Sequence, residues 1–157
     1  MPTAALNAGG AAEVASVSCA SAGNCSAGGS YRDSSGNFQV FVASQAHGTW
    51  HTAIEVPGTA ALNTGGNAKI TSVSCASAGN CSAGGYYFDS SGNQAFVVSQ
   101  VNGTWHAAIE VPGTAALNQG GTADVTSLSC ASAGNCSAGG SYTDSSGHAQ
   151  AFVVSQN

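Results

Sequence analysis

Ser74-Cys75-Ala76-Ser77-Ala78-Gly79-Asn80-Cys81-Ser82-Ala83-Gly84-Gly85 occurs three times without change, the other copies being residues 18–29 and 129–140. The leading cysteines are Cys19, Cys75 and Cys130, so the copies recur after 56 and then 55 residues. A fixed period of this size marks a repeat architecture, in which each repeat is one supersecondary unit packed on its neighbours. The repeats divide the chain into one array: unit 1 over 1–56, unit 2 over 57–111 and unit 3 over 112–157.

Around the repeated stretch, unit 2 reads as four strands. Residues 69–75 alternate, with Thr71, Val73 and Cys75 on one face, and residues 81–89 follow with Cys81, Ala83, Gly85 and Tyr87 on one face. Between them lies a small, turn-prone stretch, so Cys75 and Cys81 face each other across a hairpin. The Asp89-Ser90-Ser91-Gly92-Asn93 segment is a turn in which the Asp side chain accepts local backbone bonds. Residues 94–101 form a third strand that is apolar on both faces, with Phe96 and Val98 on one side and Ala95 and Val97 on the other. Asn102-Gly103 signals a two-residue hairpin, and residues 104–111 form a fourth strand before a Gly-rich crossover over 114–121. Units 1 and 3 carry one extra residue at the Asp turn.

Four antiparallel strands and a crossover make a β-propeller blade, so the expected fold is all-β, with three tandem blade-like units. A β-trefoil, or another three-fold β fold, is the alternative. Against it stand strands of Ala and Gly, where a trefoil wants large residues for a shared core.

All six cysteines fall in three pairs at equal spacing, which predicts the disulfides Cys19–Cys25, Cys75–Cys81 and Cys130–Cys136 and an oxidising compartment. Zinc needs four ligands at a site and each unit supplies two thiols. The two basic residues, Arg32 and Lys69, cannot make a phosphate-tracking patch, which excludes nucleic acid as a partner. No apolar run reaches the ~20 residues of a membrane-spanning helix. Met1-Pro2-Thr3 is not the start of a signal peptide, so the sequence reads as cytosolic or as a mature segment without its leader; the paired cysteines favour the secreted, extracellular reading.

Further residues carry a resemblance. Ser-Val-Ser-Cys-Ala-Ser-Ala-Gly-Asn-Cys-Ser-Ala-Gly-Gly-Tyr-Tyr, then Gln-Ala-Phe-Val-Val, Gly-Thr-Trp and Val-Pro-Gly-Thr-Ala-Ala-Leu-Asn resemble the tandem repeats of secreted actinobacterial proteins over essentially the whole chain. The resemblance implies an extracellular bacterial repeat of propeller type and lends no catalytic residues. Asp89-Ser90-Ser91-Gly92 with Trp105 is also loosely similar to the Asp-box turn of sialidase-like propellers, at a different spacing, and no activity follows from it.

No cofactor and no metal site is expected. The acids recur with the repeat, as Asp33, Asp89 and Asp144 or as Glu55 and Glu110, whereas acid–base catalysis needs two carboxylates in different environments. His47, His51, His106 and His148 form no ligand cluster. A non-enzymatic scaffold is therefore expected. Tyr31, Tyr87 and Tyr142 share one repeat position, Trp50 and Trp105 another, and Tyr86 and Phe88 are particular to unit 2. Beside Asp33, Asp89 and Asp144 these aromatics form the candidate ligand-binding set, for an extracellular ligand such as a glycan held at equivalent shallow sites. Their other role is packing between units.

Unit 3 has no counterpart of the Gly-Thr-Trp strand, and residues 2–7 copy only the crossover of residues 57–63. The expected third sheet has three strands and an apolar open edge over 151–155, a template for pairing with another chain. Self-association follows as an expectation, either as a dimer closing a six-blade ring or as an open head-to-tail assembly, so that the alternative function is a self-assembling structural or adhesive module.

Overall fold

In each unit the repeated stretch folds into the hairpin that its cysteines predict. The computed structural model describes residues 3–156. Unit 1 comprises β1 (Ala12–Ser21), β2 (Asn24–Arg32), β3 (Phe38–Ala46), β4 (Thr49–Trp50) and β5 (Ile54–Glu55), after which the crossover forms helix α1 (Thr59–Leu62). Unit 2 repeats this as β6 (Ala68–Ser77), β7 (Asn80–Asp89), β8 (Gly92–Val101), β9 (Thr104–Trp105), β10 (Ile109–Glu110) and α2 (Thr114–Leu117). Unit 3 has β11 (Ala123–Ser132), β12 (Asn135–Thr143) and β13 (Ala149–Gln156). Each unit is one antiparallel sheet with its strands in chain order, and the three sheets stack as blades do, with β6 between β1 and β11.

The three disulfides are Cys19–Cys25, Cys75–Cys81 and Cys130–Cys136, and in each the two cysteines are directly opposite in the strand register. Tight turns close the next hairpins. In unit 2 Asp89 pairs with Gly92 across Ser90-Ser91, while the extra residue of units 1 and 3 widens the loop so that Asp33 and Asp144 bond the carbonyls of Asn37 and His148. Asn102 and Gly103 both have positive φ (48° and 84°), the mirror-image turn that suits the twist of a hairpin, and His47-Gly48 adopts it too.

Two expectations need correction. The fourth strand is not continuous over 104–111: β9 and β10 both pair with β8, but between them the Ala108 N–H leaves the sheet and donates to Pro57 O, at the start of the crossover from unit 1, at 2.8 Å. The break changes the phase, so Trp105 and Ala108 are buried while Ile109 is exposed. Within the crossovers, Thr59 and Thr114 open one helical turn each, their hydroxyls donating to Val56 O and Val111 O at 2.7 Å. Thr71 is not in phase with Val73. A β-bulge between Ile70 and Ser72 puts Ile70 and Val73 together in the core, and the bulged Thr71 donates its hydroxyl to Gly84 O and to Val125 O of unit 3.

Two buried clusters lie between sheets, and a third, around Tyr31 and Phe41, belongs to unit 1 alone. We call the face with Tyr87 and Phe96 the front and the face with Ala95 and Val97 the back. The back of unit 1 (Val40, Val42, Val56) packs on the front of unit 2 (Ile70, Val73, Phe96, Val98), and the back of unit 2 (Ala95, Val111) packs on the front of unit 3 (Val125, Ala138). Backbone donors reinforce the stacking: Val73 N and Cys75 N bond the hydroxyls of Ser16 and Ser18, and Cys130 N bonds that of Ser74, each at 3.0 Å.

The paired glycines of the repeated stretch do two jobs. A Cβ on Gly28 would stand 2.9 Å from Ile70 Cδ1, and one on Gly84 would stand 2.9 Å from Val125 Cγ1, so the first glycine admits the next sheet. A Cβ on Gly85 would stand 1.9 Å from Lys69 O, so the second glycine faces backbone brought close at the bulge. Gly85→Ala is expected to lower stability by about 2–3 kcal/mol, the scale of overpacking a close contact. At Gly139, by contrast, the nearest atom to an added Cβ is Phe152 O at 3.8 Å. Gly139→Ala should stay within about 0.5 kcal/mol of wild type, and urea unfolding of both variants checks the difference.

Candidate functional site

Two of the three repeated tyrosines lie inside the structure. Tyr31 and Tyr87 are each 2% exposed, and their rings tilt against Phe41 and Phe96 with centroids 6.5 Å apart. A buried phenol needs a partner, and the hydroxyls donate to Glu55 Oε2 at 2.9 Å and to Glu110 Oε2 at 3.5 Å. This explains why Glu55 and Glu110 share the repeat. Burial, then the neighbouring carboxylates, push both phenols well above the ordinary tyrosine value.

Trp105 is buried between units 1 and 2, and its indole N–H donates to Ser44 Oγ at 3.2 Å. Trp50, on the open front of unit 1, is half-buried against Tyr31, Phe41 and Ala53, with Leu6 also on this cluster. Tyr142 is half-buried against the unit 2–unit 3 core. Tyr86 and Phe88 lie on one side of β7, Tyr86 half-buried and Phe88 exposed. The candidate aromatics are thus spread over several environments, and no single surface brings them together.

The three aspartates shape their turns. Asp33 Oδ1 accepts from the backbone of Ser35 (2.8 Å) and Asn37 (2.9 Å) while Oδ2 accepts from Gln39 (3.1 Å). Asp144 repeats this with Ser146, His148 and Gln150, and Asp89 accepts from Ser91 and Gln94. Partial burial raises the Asp33 carboxyl, but hydrogen bonds from Gln39, Asn37 and Ser35 outweigh it and hold it below the usual carboxylate value; bonds from Gln150, His148 and Ser146 do the same for Asp144. Among the described residues no three of His, Cys, Asp and Glu come close enough together to hold a metal ion, and no helix is long and apolar enough to cross a membrane.

Two features that the sequence reading passed over are better placed to bind something. One is a mostly apolar groove of about 560 Å³ between the outer parts of units 2 and 3, lined by Val97, Ser99, Ile109, Pro112, Ala138 and Val154 among others. The other is a pair of open patches, the inner-strand part of the front of unit 1 around Val14 and Val17, and the back of unit 3. Val14 occupies in unit 1 the position that Ile70 holds in unit 2; Ile70 is fully buried, whereas Val14 is 47% exposed. On the back of unit 3, Val153 is 80% exposed where its counterpart Val42 is fully buried. Only a comparison of repeats, position by position, could have shown these in the sequence.

Neither a scan against protein-family models nor a search of curated proteins finds a match to this chain.

The tyrosine environment yields a pH prediction. A phenol whose folded pKa lies above its unfolded value contributes stability that is complete below about pH 10 and is lost as pH rises toward the folded value. The melting temperature is therefore expected to fall above about pH 10, and Tyr87→Phe, which removes one such group, should flatten that fall. Calorimetry across the alkaline range reads both.

Proposed function

We propose that this chain is a non-catalytic extracellular scaffold that works by assembling with copies of itself, the back of unit 3 in one copy receiving the front of unit 1 in another. One observation carries the reading: a knob and its hole are left unmatched at opposite ends of a repeating stack. Inside the chain Ile70 enters at Gly28 and Val125 enters at Gly84. By the same register Val14 fits the open space at Gly139 of a second copy.

Polar groups follow the same rule. Ser127 and Ser129 of unit 3 correspond to Ser16 and Ser18, and the backbone donors of Val17 and Cys19 correspond to those of Val73 and Cys75. Asn63 Nδ2 donates to Phe38 O (2.9 Å) and Gln39 Oε1 (3.0 Å) of the preceding unit, and Asn118 does the same to Asn93 and Gln94. Asn7 holds this position in unit 1, so its Nδ2 is the equivalent donor. In a head-to-tail contact it lies beside Ala149 and Gln150 of the next copy. Such a contact is heterologous: it closes a six-unit ring of two chains if the rotation allows, and otherwise grows as a filament. The three disulfides, together with the resemblance to secreted actinobacterial repeats, support an extracellular setting.

A glycan-binding scaffold is the second reading. It rests on Phe88, 40% exposed, beside Tyr86 on one side of β7. It draws less support, because Tyr31, Tyr87 and Trp105 are committed to packing. A glycan array on folded protein tests it, and a silent array removes it.

Light scattering after size exclusion, over a range of concentrations, tests assembly. A mass of twice the 15.2 kDa chain or more is expected, and a monodisperse 15.2 kDa species at high concentration overturns the reading. Val14→Asp and Val153→Asp should each return the protein to that single-chain mass while changing stability by no more than about 0.5 kcal/mol, since both side chains are exposed in the isolated chain.

A further inference from the structure

We infer that the groove between units 2 and 3 is a receptor for an extended peptide strand carrying the pattern Gly-x-Trp-x-x-Ala-Ile-x-Val, taken up by pairing along β13. This site is separate from the sheet faces that carry the assembly proposal. The groove is the outward continuation of the apolar interface between units 2 and 3, and the structure shows what fills its equivalent one unit earlier. There the segment 103–111 of unit 2, Gly-Thr-Trp-His-Ala-Ala-Ile-Glu-Val, lies along β8 with Trp105 and Ala108 packed in the unit 1–unit 2 core.

Five acceptors hold that segment. Gly103 N donates to Gly79 O at 2.8 Å, His106 N to Ser99 O at 2.9 Å, Ala108 N to Pro57 O at 2.8 Å and Val111 N to Ala95 O at 2.9 Å. The fifth is Ser44 Oγ, 3.2 Å from the Trp105 indole nitrogen. The repeat places a counterpart of every one around the groove: Gly134 O, Ser155 O, Pro112 O, Ala151 O and Ser99 Oγ. Unit 1 supports its own segment in the same way, with Gly48 N on Gly23 O, His51 N on Ser44 O and Val56 N on Val40 O.

The volume is also preformed. A Cβ on Gly58 would meet Ala107 Cβ and Ala108 N at 3.3 Å, but on its counterpart Gly113 it would meet nothing within 4 Å. A Cβ on Gly79 would stand 2.8 Å from Gly103 N, and on Gly134 nothing lies within 4 Å. Phe96 and Val98 are buried in unit 2, while Phe152 and Val154 of β13 keep partial exposure on the groove side of the sheet. An edge strand with unpaired backbone groups beside an apolar slot is the arrangement in which backbone bonds give affinity and side-chain pockets give selectivity. The slot selects tryptophan, because Ser99 offers a hydroxyl acceptor at the place where Ser44 meets the indole N–H.

The probe is a synthetic peptide of sequence Gly-Thr-Trp-His-Ala-Ala-Ile-Glu-Val, titrated calorimetrically into the full chain and into Val14→Asp. The variant alters only the opposite end of the stack, so failure of the strand site and failure of the assembly reading are told apart. One peptide should bind per chain, with NMR perturbations centred on Gly134, Ser155 and Ala151. Replacing the peptide's Trp by Ala should weaken binding by at least about tenfold, as expected for an aromatic anchor in a pocket. Ser99→Ala in the protein should weaken it about fivefold, the share of one hydrogen bond, with an unchanged circular dichroism spectrum. If a second copy's strand already fills the groove, the peptide should displace it and lower the mass seen by light scattering, which also supports the inference. Absence of saturable binding at millimolar peptide, equal binding of the Trp→Ala peptide, or perturbations away from β13 would each overturn it.

Discussion

The structure depends on how closely one sheet can approach the next, and a hydrogen atom in place of a methyl sets that distance. Gly28 and Gly84 leave room for Ile70 and Val125. With so few large side chains available, burial has to be gained by proximity rather than by bulk, because dispersion falls steeply with any gap between surfaces. The consequence runs through the rest of the molecule. Serine hydroxyls reach backbone donors of the neighbouring sheet, Thr71 spans two units, and Trp105 finds its acceptor in unit 1 rather than in its own sheet. Each of these contacts crosses a boundary between repeats. A single unit would have none of them.

Within a sheet, the bulge at Thr71 and the glycine opposite it act together. The bulge turns Ile70 toward the core and draws the Lys69 carbonyl toward Gly85. The same pair recurs as Ala15 with Gly29 and as Thr126 with Gly140, so the inner strand of every unit bends in the same way. The crossover asparagines Asn63 and Asn118 then tie the starts of β6 and β11 to β3 and β8 of the unit before. The ion pair between Lys69 and Glu13, 2.7 Å apart, also joins neighbouring inner strands, but it is exposed and adds little.

Much of this was legible in the repeats. Cysteine spacing gave the hairpins, Asn102-Gly103 gave the turn, and the extra residue in units 1 and 3 fell in a loop as expected. What escaped is what alternation cannot encode. A bulge shifts the phase of a strand without leaving a mark in polarity, so Thr71 was placed beside Val73. The split of residues 104–111 arises because the Ala108 N–H bonds Pro57 O in the crossover, far away along the chain, which no local pattern reports. Recurrence of the tyrosines fits both a ligand-binding set and packing between units, and burial beside Glu55 and Glu110 is the fact that separates the two roles for Tyr31 and Tyr87. The groove and the open faces were hidden for a different reason. They are differences in environment between residues at equivalent repeat positions.

Every disulfide closes within a single hairpin, at a sequence separation of 6. Six cysteines could be joined in fifteen ways, yet each finds its partner before the chain has travelled beyond one turn. Removal or duplication of a whole unit therefore leaves no thiol without its mate. The covalent framework places no limit on how many units a chain strings together. Copy number can drift while oxidative folding stays the same.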